Sequence, residues 1–538
     1  MKNKKTNEPA MSEVGQEEGR QAPSLDPVVK PRDDFDLARD DADLNNVIPR
    51  LDRGIQKPPR NKVMDLFFIE LWERFSFYGL MALLILYLIK VAHLSSHQSF
   101  LITGTYGVLD YVTPLLGGYV ADKFLGNYRA LVLGAFMIAL GHFLTAIPVY
   151  NTHFLFYGLA WIIIGTGLLK PSIATLIGDV SQHYNYNQKS AYTQAYIGAN
   201  IGTVIAPIVC SIIAVYWSWH VAFALAGVGM LFGLITAIRL KPFLPAQSFA
   251  SASSQKRNTK LYAQWSAIAL LLSGAIYALF SHPYFSNYIA LFIVISMIFI
   301  AAKIYTSIDS KEKKALLRLI GLAVFFAVFM ILLQQSGGML NIFTEELVNR
   351  QVFGWVIPTG AYQSVEPLAF IVLGLFLSRY VKRWNLSLEK SFAIGLAIMT
   401  FSFVVLLIGD ALTNYMHLQS MFWINASYLF EALGELFIGP MGTLAVKQLA
   451  PKRYVNLLMG VWMLIYSLAN FSAARFAASL SLPQQLTQGN RVLFYQQYNH
   501  AFVLLAIGGA IAVGVLVFGL LLRRFPGIVY GSRGQATG

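Results

Sequence analysis

One cysteine stands in the 538 residues, Cys210, so no intramolecular disulfide can form and no thiolate cluster can hold a metal. Charge is scarce too: 13% of residues are charged, against about 25% for a soluble domain. There is no H-E-x-x-H, no G-x-S-x-G and no Cys/His ligand cluster, so hydrolytic and metal-dependent chemistry lack their usual residues. The segment GTGLLKPS (165–172) lacks the G-x-x-x-x-G-K-[ST] spacing of a phosphate loop and lies in an apolar run, which argues against nucleotide binding. Residues 1–60 lack the apolar stretch of a secretory signal, and a cleaved signal peptide is not expected. They are polar and rich in Pro, Asp and Lys/Arg, and read as a disordered tail with a short helix near 33–46.

What is abundant is apolar sequence. Hydrophobic residues make up 56% of the chain and aromatics 14%, and the mean hydropathy is +0.55. An apolar run of about 20 residues spans a bilayer as a helix. Fourteen such runs are expected as transmembrane helices: 63–91, 98–120, 129–150, 153–177, 191–214, 219–239, 262–280, 285–304, 318–343, 357–380, 391–409, 420–446, 456–480 and 500–522. Residues 1–60 hold 12 of the 27 acids and 11 of the 41 bases, which leaves 15 acids and 30 bases, a net +15, for the rest. Such an excess could attract nucleic acid. Here the bases sit in short loops between apolar runs, so topology and anionic lipid explain them, and no nucleic-acid partner is expected.

The bases cluster before the first run, at Lys123 and Arg129, Lys189, Lys256–Lys260, Lys311–Arg318, Lys382-Arg383, Lys452-Arg453 and Arg523-Arg524. Odd runs crossing outward and even runs inward put all eight clusters on one side. The positive-inside rule makes that side, and both termini, cytoplasmic. The polar, basic stretch 240–261 divides six runs from eight. The expected partition is a cytoplasmic tail (1–60), a six-helix bundle (61–240), a linker with an inserted helix pair (241–310), a second six-helix bundle (311–525) and a short cytoplasmic tail (526–538). Two six-helix halves with a site between them at mid-membrane resemble the major-facilitator fold, an all-α membrane architecture.

Six carboxylates stand well inside the runs: Glu70, Glu73, Asp110, Glu366, Glu431 and Glu435, with Arg74 and Lys170 as basic counterparts. Each costs a few kcal/mol at a helix centre unless it has a partner or an aqueous cavity. In ELWERFSFYG (70–79), Glu70, Glu73 and Arg74 fall at i, i+3 and i+4 and share a helix face. A structural ion pair stapling the first helix to a neighbour is one reading. Two acids against one base leave a negative charge that calls for a further cation, with Lys170 the candidate. Asp110 and Glu431 are open between structural and functional roles.

ELWERFSFYG closely resembles the E-x-x-E-R-F-x-Y-Y signature of the proton-dependent oligopeptide transporter family. Further matches follow in order: GGYVADKFLG (117–126), GTGLLKPS (165–172), AYIGANIG (195–202), YQSVEP (362–367), GELFIGPMG (434–442) and MGVWML (459–464). The resemblance spans about 63–524, and the inserted pair is similar to the two extra helices of bacterial di- and tripeptide permeases. It implies that Glu70, Glu73 and Arg74, with Lys170, couple proton binding to peptide binding, and that Arg74 and Lys170 meet the peptide carboxylate. It also implies that Tyr78 and Tyr111 line the pocket, that Asn200 and Glu435 meet the amino end, and that Trp462 is a pocket wall. Departures are Phe77 for the first Tyr, Met81 for an Arg, Gln334-Gln335 where an acid of the seventh family helix belongs, and Glu366 for an Asn. Glu366 is expected to replace the missing acid as amine anchor or proton site.

The expected function is therefore a proton-coupled symporter importing di- and tripeptides by alternating access, with the proton as coupling ion, no other cofactor and no enzymatic activity. It is expected to act as a monomer in the bilayer of a bacterial inner (plasma) membrane. A related permease for an amino acid, nitrate or a drug-like substrate is the alternative, followed by a membrane-embedded enzyme or a peptide sensor.

Overall fold

The computed structural model describes residues 61–147, 152–249, 259–384, 386–415, 417–481 and 490–524. The tails expected at 1–60 and 526–538, and 250–258 of the linker, lie outside the described residues. The helices are α1 (Asn61–Lys90), α2 (Ser96–Val120), α3 (Asn127–Thr145), α4 (His153–His183), α5 (Gln188–Tyr216), α6 (Trp219–Leu240), α7 (Thr259–Ser281), α8 (Ser286–Thr306), α9 (Ser310–Leu333), α10 (Met339–Leu347), α11 (Val365–Trp384), α12 (Leu388–Leu412), α13 (Met421–Leu449), α14 (Val455–Leu480) and α15 (Arg491–Arg524).

Fourteen of these correspond to the fourteen expected runs. Among the described residues twelve are long and apolar enough to cross a membrane; α2 is not among them, and α7 counts as a shorter apolar helix over Ala267–Ser281. The ninth run breaks after Leu333, where QQSGG interrupts the helix before the nine-residue α10. Glycine is a poor helix former, and the pair Gly337-Gly338 supplies the break. The chain is not wholly helical beyond α10. A hairpin of β2 (Gln351–Val352) and β3 (Trp355–Val356) turns through Phe353 and Gly354, both at positive φ, as a tight two-residue turn requires. Two further residue pairs, β1 (Val348–Asn349) and β4 (Gln419–Ser420), pair in parallel.

Helices α1–α6 pack on one another around one buried apolar core, and α9–α15 around a second. Small residues let the backbones approach, the usual basis of helix contact in lipid. A Cβ added to Gly134 would lie 2.6 Å from the Gly165 carbonyl oxygen, and one added to Gly141 would lie 2.6 Å from that of Gly158. The pair α7–α8 lies against the outside of both groups. Tyr277 of α7 stacks on Tyr157 of α4 at 4.4 Å. Arg475 of α14 donates to the Pro283 carbonyl and the Ser286 hydroxyl at 3.3 Å. Through the middle of α8, between Asn287 and Lys303, the exposed side chains are apolar or aromatic, Phe292 and Phe299 among them, as lipid contact demands.

The two groups meet along α2 and α14 and at one end of the bundle. Gly104 faces Ala474, Ser467 donates to the Val108 carbonyl, and Asn341 of α10 donates to the Ala82 carbonyl. Ser364 donates to the Val204 carbonyl of α5. At the mouth of this end, Glu345 of α10 is paired with Lys90 of α1, with Arg350 at 3.0 Å, and accepts from Thr359. Deeper in, the helices part. Arg74 and Lys170, both in mid-helix, keep 30% and 20% of their side chains accessible. The space between the groups is therefore an open chamber, closed at the Lys90 end.

Candidate functional site

The chamber wall contributed by α1 is set by how closely that helix lies on α5 and α6. A Cβ on Gly79 would stand 2.8 Å from Cys210 Sγ, and one on Gly202 would stand 2.3 Å from the Leu71 carbonyl oxygen and 3.0 Å from Arg74 Cβ. That seating buries Glu73, 2% exposed, and leaves Arg74 facing the chamber. Arg74 Nε lies 3.3 Å from Glu73 Oε2. Glu70 lies within the field of Arg74, Glu73 and Lys170.

Lys170 reaches it from α4 because α4 lies almost backbone to backbone on α2. A Cβ on Gly117 would sit 2.1 Å from the Gly167 carbonyl oxygen. The glycines of GTGLLKPS are thus packing residues, and they carry Lys170 against α2. There Lys170 Nζ donates to both carboxylate oxygens of Asp110, at 2.9 and 3.1 Å. The same ammonium lies over the rings of Phe77 at 4.7 Å and Tyr111 at 5.8 Å. The ion pair expected between Lys170 and the α1 carboxylates is made with Asp110 instead, because the α2–α4 contact brings that carboxylate within bonding distance.

The second wall carries acid. Glu366, at the start of α11, lies in the field of Glu435 and Glu431 of α13. Glu431, one turn before Glu435, is fully buried, and among the described residues neither of its oxygens has a hydrogen-bond partner. Gln335, near the missing acid, is buried and donates to the Ile331 carbonyl at 3.1 Å. It lines, with Met81, a small cavity of about 50 Å³ under the closed end.

Tyrosines bridge the two walls. Tyr78 lies in the field of Arg74 on one side and of Glu366 and Glu435 on the other, and so does Tyr196. Tyr111 stacks on Tyr466 of α14 at 5.3 Å and 17°. Asn200 donates to the Tyr196 carbonyl at 2.7 Å, one turn away on α5. Trp462 is only 3% exposed; it packs on Phe326, which in turn meets Tyr466, so it backs the wall and Tyr466 forms its face. Asp110, Tyr196 and Tyr466 are the chamber residues that sequence reasoning left unassigned. Tyr466 stands four residues after Trp462, on the same helix face, and Tyr196 lies inside AYIGANIG, so a signal for both was present.

The arrangement sets cations on one wall against carboxyls on the other, with hydroxyl-bearing rings between. Together with two packed helical groups and an external helix pair, it defines a membrane carrier of major-facilitator architecture. The chain belongs to the POT family, whose model matches residues 128–492. It is 27% identical to dipeptide and tripeptide permease A of Erwinia pyrifoliae over 87% of this chain and 95% of that protein. It is likewise 27% identical to the permease of the same name from Pectobacterium carotovorum, over 85% and 91%. Among solved structures it is similar to tetrameric PepTSo2, at 25% identity and a TM-score of 0.74, over 86% of this chain and 98% of that one. A peptide transporter POT solved with sulfate is 26% identical, with a TM-score of 0.70, over 85% and 95%.

Proposed function

We propose that the protein is a proton-coupled symporter that imports di- and tripeptides by alternating access. The observation that carries this reading is the division of charge across the chamber: Arg74 and Lys170 on α1 and α4, Glu366 and Glu435 on α11 and α13. A zwitterionic peptide needs a cation at its carboxylate and an anion at its ammonium, and by engaging both walls it draws the two groups together. Asn200 and Glu435 receive the amino end, with Glu366 beside Glu435; Tyr78 and Tyr111 flank the peptide, and Trp462 supports Tyr466. Six carboxylates against two cations around the chamber favour a zwitterion or a cation over an anion such as nitrate.

The proton is the coupling ion, and the set Glu70, Glu73, Arg74, Lys170 and Glu366 couples its binding to that of the peptide. One charge moving through 100 mV supplies about 2.3 kcal/mol, and one pH unit about 1.4 kcal/mol. Together they support roughly 500-fold accumulation for one proton per neutral peptide. The groups α1–α6 and α9–α15 are the moving halves, with α7–α8 an appended pair and residues 1–60 and 526–538 as tails. The protein works as a monomer in a bacterial inner membrane with both termini inside, so the end marked by Lys90 faces outward.

The test is uptake of labelled dialanine by proteoliposomes under an inward proton gradient and potential. Uptake that a tripeptide blocks and that Glu73→Gln abolishes is the expected result. Folded protein with no gradient-driven uptake would sink the reading.

A further inference from the structure

Around the first chamber wall the charges sort into two pairs. Glu73 and Arg74 are neighbours in sequence, 3.3 Å apart. Asp110 and Lys170 lie on different helices and share two hydrogen bonds. The second pair is asymmetric: Asp110 is 1% exposed, whereas the Lys170 side chain keeps a fifth of its surface open to the chamber. The ammonium is therefore the partner that can leave, and the carboxylate the one that stays. The pair is not the only contact that holds α2 on α4. The Gly117–Gly167 backbone contact does so too, helped by the Thr113 hydroxyl, which lies 3.2 Å from the Ile163 carbonyl oxygen.

Asp110 also sits where a change of state would be felt across the chamber. The next residue, Tyr111, stacks on Tyr466 of the other group, and Val108, two residues before, accepts from Ser467. The titratable and charged groups that face Asp110 are few. From α4 comes Lys170 and from its own helix Tyr106 and Tyr111; on α1, Glu73 acts with Asp110 on Tyr106, Arg74 acts with it on Tyr111, and Glu70 lies in the field of Lys170. From α14, which packs along α2, comes Tyr466, stacked on Tyr111.

We propose that Asp110 is the proton-accepting partner of Lys170, so that its protonation state decides whether Lys170 can bind the carboxylate of a substrate. Ionised, Asp110 holds the ammonium in the ion pair. A proton taken up by its carboxylate neutralises it, and Lys170, still charged, turns to the substrate carboxylate. When the substrate leaves, the proton departs from Asp110 and the ion pair closes again. One proton enters and one leaves per cycle at this site, and no bond other than O–H is made or broken. The inference rests on the proton-coupled reading above and assigns one of its steps to a residue on α2.

The experiment compares the wild-type protein with Asp110→Asn and Asp110→Glu in proteoliposomes. One assay is gradient-driven accumulation of labelled dialanine across a range of external pH. The other is exchange of labelled for unlabelled dialanine at equal pH on both sides. The expected result is that Asp110→Asn loses accumulation and flattens the pH profile while exchange persists, and that Asp110→Glu restores accumulation with a displaced profile. Accumulation by Asp110→Asn with the wild-type pH profile would overturn the proposal. So would loss of exchange as well as accumulation in folded protein, which marks a structural pair. A substrate-free measurement separates this proposal from the one it rests on: acylation of Lys170 by an amine reagent, read by mass spectrometry against the exposed Lys447. Release from Asp110 should speed modification of Lys170 severalfold in Asp110→Asn, and an unchanged rate overturns the proposal whether or not dialanine is the substrate.

Discussion

The contact between Gly104 of α2 and Ala474 of α14 offers a way to tilt the protein between its states. A Cβ built on Gly104 would lie 2.3 Å from Ala474 Cβ. Ordinary carbon contacts lie at about 3.5–4.0 Å, so Gly104→Ala forces the two helices apart by about 1 Å at this point. Ala474 Cβ is fixed to its helix and has no rotamer by which to yield. Overpacking of this kind costs about 1–3 kcal/mol. The contact joins the two groups at their closed end, so the cost falls on the closed state and not on a state open there. A penalty of that size shifts the equilibrium by about 5- to 150-fold. The assay uses a Cys210→Ser background with Met81→Cys, a position lining the small cavity that Gly104 also lines. A membrane-impermeant thiol reagent, added on the side where Lys90 lies, should label this position at least fivefold faster in Gly104→Ala. Gly165→Ala, an overpacking within one group, serves as control and should lower thermal stability without changing the labelling rate. Unchanged labelling in folded Gly104→Ala would refute the claim that this end is held shut by close packing of α2 on α14.

Two further outcomes are expected. Glu366→Gln removes one of two neighbouring carboxyls with no change of shape, so the protein should fold while dialanine uptake weakens or its pH profile moves; uptake unchanged at every pH would remove Glu366 from the mechanism. At the closed mouth, outside the spans, burial pushes the Glu345 carboxyl upward, but Arg350, Lys90 and the Thr359 hydroxyl outweigh it and hold the group below the usual carboxylate range. A group held low adds stability that is present above its ordinary value of 4.5 and is lost as pH falls through the lowered one. The latch should therefore stay closed across neutral and mildly acid pH, and Glu345→Gln should open it, seen as faster labelling at Met81→Cys with no displacement of the pH optimum. A displaced optimum would place a coupling proton on Glu345.

Scarce charge and long apolar runs determined from sequence alone that this is a polytopic helical membrane protein, because a bilayer tolerates little else. The order of short motifs from Glu70 to Trp462 determined its family, and it singled out residues of both helical groups. The break that ends α9 was written in QQSGG but hidden within an apolar run, where hydropathy does not register a turn. Pairings were not legible. Glu70, Glu73 and Arg74 share a helix face by periodicity, which made Lys170 their evident partner. Only the backbone contact of Gly117 with Gly167 decided that Lys170 meets Asp110. In the same way, Trp462 stands in a recognisable motif, yet the packing of Phe326 turns it inward and leaves Tyr466 to face Tyr111. Sequence fixes what a residue can do through its chemistry and helical phase. Which partner it meets depends on how closely two helices approach, and that is set by glycines and small side chains far from it in the chain.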